Sequence, residues 1–554
     1  MKTIIHIFIL TGILLLSGCA DNWLKEDMPH LITTETLYTS YEGLETGING
    51  LYSLARRERE GRSGSNNMIA DMFMNGTDNL VTNHRDVGFS MISEVWGSLN
   101  NAENIETTGI FFWLYEIVNA ANTIINYAEN EDINWTTGPG TVEENKNRIL
   151  SDAKFIRAWA YRHLTFCWGD VPLNLDISIG SNIRTDWERT PILEVRRFIL
   201  AELLYAQKHI PVEANMVGRI TKGGVQHYIA EMYLVLNKPD SALYWADQTI
   251  NTPAYKLITQ RYGVRADRPG VPIMDMFYEG NENREQGNTE ALWVFQFELQ
   301  TTGGGTGLMR RHHVSRYSEI NIGGVRAIQD TYERGGRGRS RMSLTKWAIE
   351  HYEPQDDRAS EYAMRKFFIL KNAEENAPYA ADLLPPGYNY GDTVWLDWSN
   401  DITYATRARL NWPFLRKAEG TDPLNVAVEG QWNDQVYLRL ADTYLLKAEA
   451  LYLLGRIEDS AETLNIIRRR SNASEITAAD VDIDFILDER SRELLLEEHR
   501  RYTLLRTGKW MERTRAYNHN GGDLITERDL LFPIPQSVIN SNLTKVMPQN
   551  PGFN

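Results

Sequence analysis

At 554 residues, with 42% hydrophobic and 24% charged residues, the chain has the composition of a globular protein with a large core. Its formal net charge of −16 excludes a nucleic-acid binder, which would carry a basic footprint. Two cysteines, Cys19 and Cys167, make no disulfide framework, and 15 Trp with 26 Tyr are more than a helical core needs, so part of them is expected on a binding surface.

Residues 1–18 read as a leader. Lys2 is a minimal basic region, Ile4 to Leu16 is an apolar run too short to span a bilayer, and Leu16-Ser17-Gly18-Cys19 resembles a bacterial lipobox. Cys19 is then the lipidation site, residues 19–554 are the mature chain, and 20–30 form a short tether. From Thr33 to Tyr52, Leu44, Ile48 and Leu51 recur at helical spacing. Residues 56–100 turn Arg- and Glu-rich, then Gly-, Asn- and Asp-rich, which predicts loops and short helices. Helices follow at 110–128 and 149–166, the latter stopped by Gly169-Asp170-Val171-Pro172, and then at 193–210, 224–236 and 241–250.

Between 252 and 433 the helical rhythm weakens. Ala291 to Leu299 alternates like a strand; glycine clusters at 303–307, 323–324 and 335–338, Pro385-Pro386 and an aromatic-rich stretch at 388–414 follow. From Val436 to Arg506 the pattern predicts three consecutive helices, the first carrying Tyr437, Leu440, Tyr444, Ala448 and Leu451 on one face and ending at Gly455. Ala230-Glu231, Leu234, Leu236 and Asp240-Ser241-Ala242 match Ala448-Glu449, Leu453, Leu454 and Asp459-Ser460-Ala461, about 220 residues later. Helix, short turn, helix is the unit of a tetratricopeptide-like solenoid and cannot bury its core alone. The expected fold is therefore mostly α: a tetratricopeptide-like helical-repeat scaffold (about 33–251 and 434–510) with a long loop-rich insertion containing short strands (about 252–433) and an extended tail (531–554), all one domain.

Sites for chemistry fail on spacing. Gly303 to Gly307 follows a strand, but Leu308 replaces the third glycine of a dinucleotide fingerprint. His312-His313 has no suitably spaced third ligand. Asp480, Asp482 and Asp484 open like a calcium loop, yet Phe485 and Ser491 stand where Gly and Glu are required; their expected role is negative charge at the start of the helix ending near Arg506. Glu498-His499 lacks the second histidine of a zinc-protease helix. No catalytic residue, metal or cofactor is expected. Asp488 with Arg492 and Glu497 with Arg501 read as surface helix pairs, and Arg334, Arg337, Arg339 and Arg341 as a solvated loop able to meet an anionic sugar.

The remaining pattern is aromatic rings among polar loops. A sugar presents an apolar C–H face and a rim of hydroxyls, which flat rings and a few Asp, Asn or Arg groups can hold without chemistry. Residues 71–100 supply Asp71, Asp78, Asn79, Arg85 and Trp96; the insertion supplies Tyr317, Trp347, Trp395 and Trp398. These nine are the candidate ligand-binding residues.

Val436 to Leu454 (VYLRLADTYLLKAEALYLL), Ile486 to Lys509 (ILDERSRELLLEEHRRYTLLRTGK), Leu531 to Phe553 (LFPIPQSVIN … MPQNPGF) and Ser151 to Leu173 (SDAKFIRAWAYRHLTFCWGDVPL) resemble the SusD/RagB family of surface nutrient-binding lipoproteins. The departures are Leu-Leu-Glu-Glu-His at 495–499, where the family commonly has a glycine before the His, and Phe553, where it often has Tyr. The resemblance implies a surface-exposed protein, lipid-anchored to the outer membrane through Cys19, that captures oligosaccharides and delivers them to a SusC-like TonB-dependent transporter. The helical repeats would face the transporter, and the inserted loops would form the ligand site. Peptide cargo on the same architecture, a surface glycoside hydrolase and a purely structural surface protein are the rival readings.

Overall fold

A computed structural model describes residues 33–61, 67–83, 88–373, 381–420, 422, 424–428 and 430–553; the leader, Cys19 and Arg85 lie outside the described residues. Long helices dominate the first half. Tyr41–Arg56 starts at Ser40, whose hydroxyl accepts from the Gly43 amide, and Val142–Trp168 starts at a reciprocal cap between Thr141 and Glu144. Ile105–Asn130, Val142–Trp168, Ile192–His209, Lys222–Val235 and Pro239–Ile250 each pack on the next in chain order. This is the antiparallel stacking of an α-solenoid.

After Ile250 the chain leaves the stack, and the next helix of the stack, Leu440–Leu453, packs directly on Pro239–Ile250. Ala230, Leu234, Ala242 and Ala246 of one hairpin meet Leu446 and Ala450 of the other in a buried cluster. The two hairpins matched in sequence are therefore neighbours, and alanine at the contact lets their axes approach. Ala461, the counterpart of Ala242, plays the same part between Leu440–Leu453 and Ile457–Arg470, packing on Leu445 and Ala448.

The seam where the insertion leaves and returns is a strand pair. Ala291–Phe295 runs antiparallel to Gln435–Arg439, so residues 436–439, expected to open a helix, are extended, and the helix begins at Leu440. Both faces of this strand are buried, so its apolar run carries no period-2 signal to distinguish it from a buried helix. The expected third helix is likewise two, Ile483–Leu494 and Arg500–Arg506, separated by a turn with Leu496 at φ +67°. Asp482 caps the first of them by accepting from the Phe485 amide at 2.7 Å, consistent with its acidic N-terminal run.

The insertion has a core of its own, in which Met364, Phe368, Val394, Leu396, Trp412, Phe414 and Tyr317 pack with Leu80 and Val81. Strand Leu80–Thr82 pairs antiparallel with Met342–Leu344, which sews the early loop region onto the insertion. The insertion is fastened to the scaffold by buried charge. Arg439 reaches Glu290 at 2.7 Å and Glu493 at 2.5 Å, Arg470 bonds the same two carboxylates, and Arg358 joins Glu489 at 2.7 Å. Burial opposes ionisation of Glu493, but Arg470, Arg439 and Arg358 hold its carboxyl well below the usual range.

Of the charges read as surface helix pairs, Arg492 pairs along its own helix, with Glu489 at 2.9 Å, and the other three make tertiary contacts. Asp488 pairs with Arg513 at 2.5 Å, Glu497 with Arg439 and Lys417 at 2.5 Å, and the Arg501 guanidinium lies 4.1 Å over the Trp510 ring. Of the arginines read as a solvated loop, Arg334 is buried on Asp382 at 2.5 Å and Arg341 is buried too. The tail docks on the end of Val142–Trp168: the Phe532 amide donates to the Cys167 carbonyl at 2.7 Å and the Asn550 side chain to that of Trp168 at 2.9 Å. Carbonyls left unpaired at a helix C-terminus are thereby satisfied.

Candidate functional site

The outward surface of the insertion is organised by one ribbon, Phe367–Ile369 paired antiparallel with Thr393–Trp395 in the register Phe367↔Trp395, Phe368↔Val394, Ile369↔Thr393. Alternation sends Phe368 and Val394 into the core and leaves Phe367, Ile369 and Trp395 outside. Trp395 is 61% exposed and its ring centroid lies 5.0 Å from that of Phe367. The two rings together present an outward aromatic surface on the ribbon.

Phe367 also lines a cleft of about 400 Å³ whose other walls are Tyr278, Tyr362 and a ring of basic side chains. Eight lining residues are basic (Arg261, Arg265, Arg268, Arg334, Arg365, Lys366, Lys371 and Arg416) and two are acidic (Glu333 and Glu361). Most of the bases are tied down. Arg261 binds Asp275 at 2.7 Å, Lys371 binds Glu333 at 2.7 Å, and Arg365 and Arg416 share Glu419 at 2.7 and 3.0 Å. Arg261 also donates to the carbonyls of Arg265 at 2.6 Å and Arg268 at 2.7 Å, which fixes the loop carrying those two residues. Arg265 lies 4.2 Å over the Tyr278 ring. Arg265, Arg268 and Lys366 make no ion pair among the described residues.

Of the nine residues proposed from sequence, only Trp395 stands at this surface as a largely exposed ring, with Trp398 half-buried beyond it on the same chain segment. Five are interior, out of a ligand's reach, and each has a structural partner that explains its type. Asp71 bonds His312 at 2.6 Å. Asp78 takes Arg500 and Arg513 at 2.7 Å each; burial works against its charge, but the two guanidinium groups bring its carboxyl down to about 2. Asn79 accepts from Ser491 at 2.6 Å, Trp96 meets Trp510 edge-on at 5.4 Å, and Tyr317 donates to the Gly336 carbonyl at 2.7 Å. Trp347 is half-buried in a stack between His351 and Tyr517, at 4.1 and 4.5 Å. Burial as a paired carboxylate or packed ring removes these residues from the set that can meet a solute. Arg85 lies outside the described residues.

Sequence reasoning missed Phe367, Arg265, Arg268 and Lys366. For Lys366 and Phe367 the signal available was the short apolar run Phe367 to Leu370 between basic residues, which suits a strand; no local pattern marks Arg265 or Arg268.

Fold and surface together define a tetratricopeptide-like helical-repeat protein that carries a loop-built cleft with an aromatic lip. The family model described as "SusD family" matches residues 289–553, and a second, described as "Starch-binding associating with outer membrane", matches residues 40–234. The chain is 24% identical over 536 residues to SusD-like protein P25 of Formosa agariphila, covering 90% of this chain and 89% of that one. It is 25% identical to SusD-like protein P2 of the same organism, covering 98% of each. A solved structure described as a laminarin binding SusD-like protein superposes with a TM-score of 0.67 at 19% identity, over 93% of this chain and all of that one. The chain belongs to the SusD/RagB family.

Proposed function

We propose that the protein is a cell-surface, outer-membrane lipoprotein that captures oligosaccharides on its insertion and passes them to a partner TonB-dependent transporter, with no chemistry of its own. The observation that carries the binding reading is the outward Phe367–Trp395 pair at the lip of a polar cleft. It offers the apolar platform and the hydrogen-bonding rim that a saccharide needs. The family matches and the laminarin-binding relative support it. Cys19 is the proposed anchor, and the sequence around it supports this.

The transporter reading rests on family membership and has a surface that suits it. On the helical side, Phe111, Phe112, Tyr115, Trp187, Val538 and Met547 line an apolar groove of about 440 Å³, beside exposed Ile179 and Ile183. Apolar surface of this kind marks contact with another protein. For hydrolysis, a raised carboxylic acid would be needed. In the cleft the Lys371 hydrogen bond holds Glu333 below the usual range, which is the wrong direction for a general acid.

Retardation of the recombinant protein in native gels containing polysaccharide tests the reading. We expect one or more glycans to retard it and Trp395→Ala to weaken that binding by about tenfold or more, the stacking contribution of an exposed tryptophan. Turnover of a bound polysaccharide, or capture of peptides in place of glycans, would overturn it.

A further inference from the structure

The cleft beside Trp395 is lined mostly by basic side chains, opposite in sign to the net charge of the chain. Behind its eight basic and two acidic lining residues stand three further carboxylates, Asp275, Asp382 and Glu419, each paired with a lining arginine. A surplus of three cations remains, in a chain whose formal net charge is −16. The surplus is local and structured. Arg261 spends its charge on Asp275 and its other N–H groups on the carbonyls of Arg265 and Arg268, so it holds the loop and leaves those two side chains for something else. Arg265 is half-buried with its guanidinium flat on Tyr278 and no carboxylate partner among the described residues. A guanidinium stacked in this way keeps its N–H edge free for bidentate contact with a planar or tetrahedral oxyanion. Lys366 also lines the cleft and is half-buried; burial pushes its ammonium below the usual lysine value, with Glu350 only partly compensating, so a bound anion would stabilise its charged form. A neutral sugar would give none of the three a carboxylate or sulfate partner, whereas an anionic one would.

Resting on the glycan-binding reading above, we infer that the ligand of this cleft is an anionic saccharide. Its sulfate or carboxylate groups sit on Arg265, Arg268 and Lys366, and the apolar face of a neighbouring ring lies on Phe367 and Trp395. A positive cleft on a strongly negative body would also steer an anionic ligand toward this opening, because the cleft focuses field lines.

The test compares one backbone in three charge states: a neutral glucan, its sulfate ester and its carboxymethyl ether, run on both dextran and laminarin backbones against the recombinant protein. We expect at least one anionic form to bind about tenfold or more tighter than its neutral parent, with the advantage shrinking as salt rises from about 0.01 to 0.15 M. The sulfate and carboxymethyl arms separate the two sources of charge. R265Q/R268Q and, separately, K366Q should each remove most of that advantage while leaving the thermal melt unchanged, and Trp395→Ala should weaken neutral and anionic forms alike. Neutral binding that is lost in Trp395→Ala, with no gain from charge, would overturn the anionic inference and leave the glycan reading standing. An anionic advantage that survives R265Q/R268Q and K366Q would place the anion seat elsewhere and overturn the inference too. Failure of every glucan, neutral and anionic, to bind would overturn the anionic inference, and failure of every polysaccharide in the native gels would overturn the glycan reading as well.

Discussion

Asp78 shows how a loop carboxylate earns its place without touching a ligand. It is fully buried and accepts from Arg500 at 2.7 and 2.8 Å and from Arg513 at 2.7 Å. Removing one partner of such a buried cluster leaves unpaired charge, so Asp78→Asn is expected to destabilise the protein by about 3–5 kcal/mol, measured by denaturant unfolding. This carboxylate and Glu489, which is held by Arg358, Arg468 and Arg492, set an acid limit. Asp78 and Glu489 are both depressed to about 2, with burial opposing and neighbouring arginines prevailing. A depressed folded-state value means the stabilisation is fully present above the unfolded carboxylate values near 3.8 and 4.5 and is lost as pH falls toward 2. Circular dichroism during acid titration should therefore show stability falling through that window, with a shallower fall in Asp78→Asn. Tryptophans divide in the same way. Trp96→Ala empties an interior position against Trp510 and is expected to cost about 3–5 kcal/mol. Trp395→Ala, at an exposed site, should change stability by less than about 0.5 kcal/mol and register in glycan binding alone.

Elements are held as much by what crosses them as by their own propensities. The end of Val142–Trp168 is the clearest case. Gly169 sits at φ +73°, and a Cβ there would come within 2.9 Å of Leu531 Cδ1. Its left-handed backbone lets the chain turn while the tail folds back onto the last helical carbonyls. Gly169→Ala combines positive-φ strain with that contact and is expected to lower stability by about 1–2 kcal/mol. Thermal melting measures the loss, and faster proteolysis of the tail beyond Leu531 would show that docking is what was weakened. Strand Gln435–Arg439 makes a related point. Its residues suit a helix as well as a strand, and pairing with Ala291–Phe295 decides between them.

At the scale of the whole molecule, two cores meet across charge. The helical core and the core of the insertion are joined at Glu290, Arg439, Arg470 and Glu493, all buried. Glu493→Gln would leave Arg439, Arg470 and Arg358 short of a carboxylate, and a loss of about 3–5 kcal/mol is expected. Because the cluster ties insertion to scaffold, calorimetry of the variant should separate one transition into two, the insertion melting first. The scaffold was legible in the sequence because helix faces are written in local spacing, and the hairpins at 230–242 and 448–461 resemble each other because each buries the same kind of face against a neighbour. The presence of an insertion and its looped character were legible too, from broken periodicity and glycine. Which aromatic rings face water was decided only by the tertiary structure. Asp78 and Arg500 are 422 residues apart, and no local pattern announces that one neutralises the other. The same holds for the basic cleft: Arg334 is buried on Asp382 while Arg268 is exposed, because the carboxylate that decides lies in a distant segment. Composition and local spacing specify which faces must be covered, and long-range pairing determines what covers them.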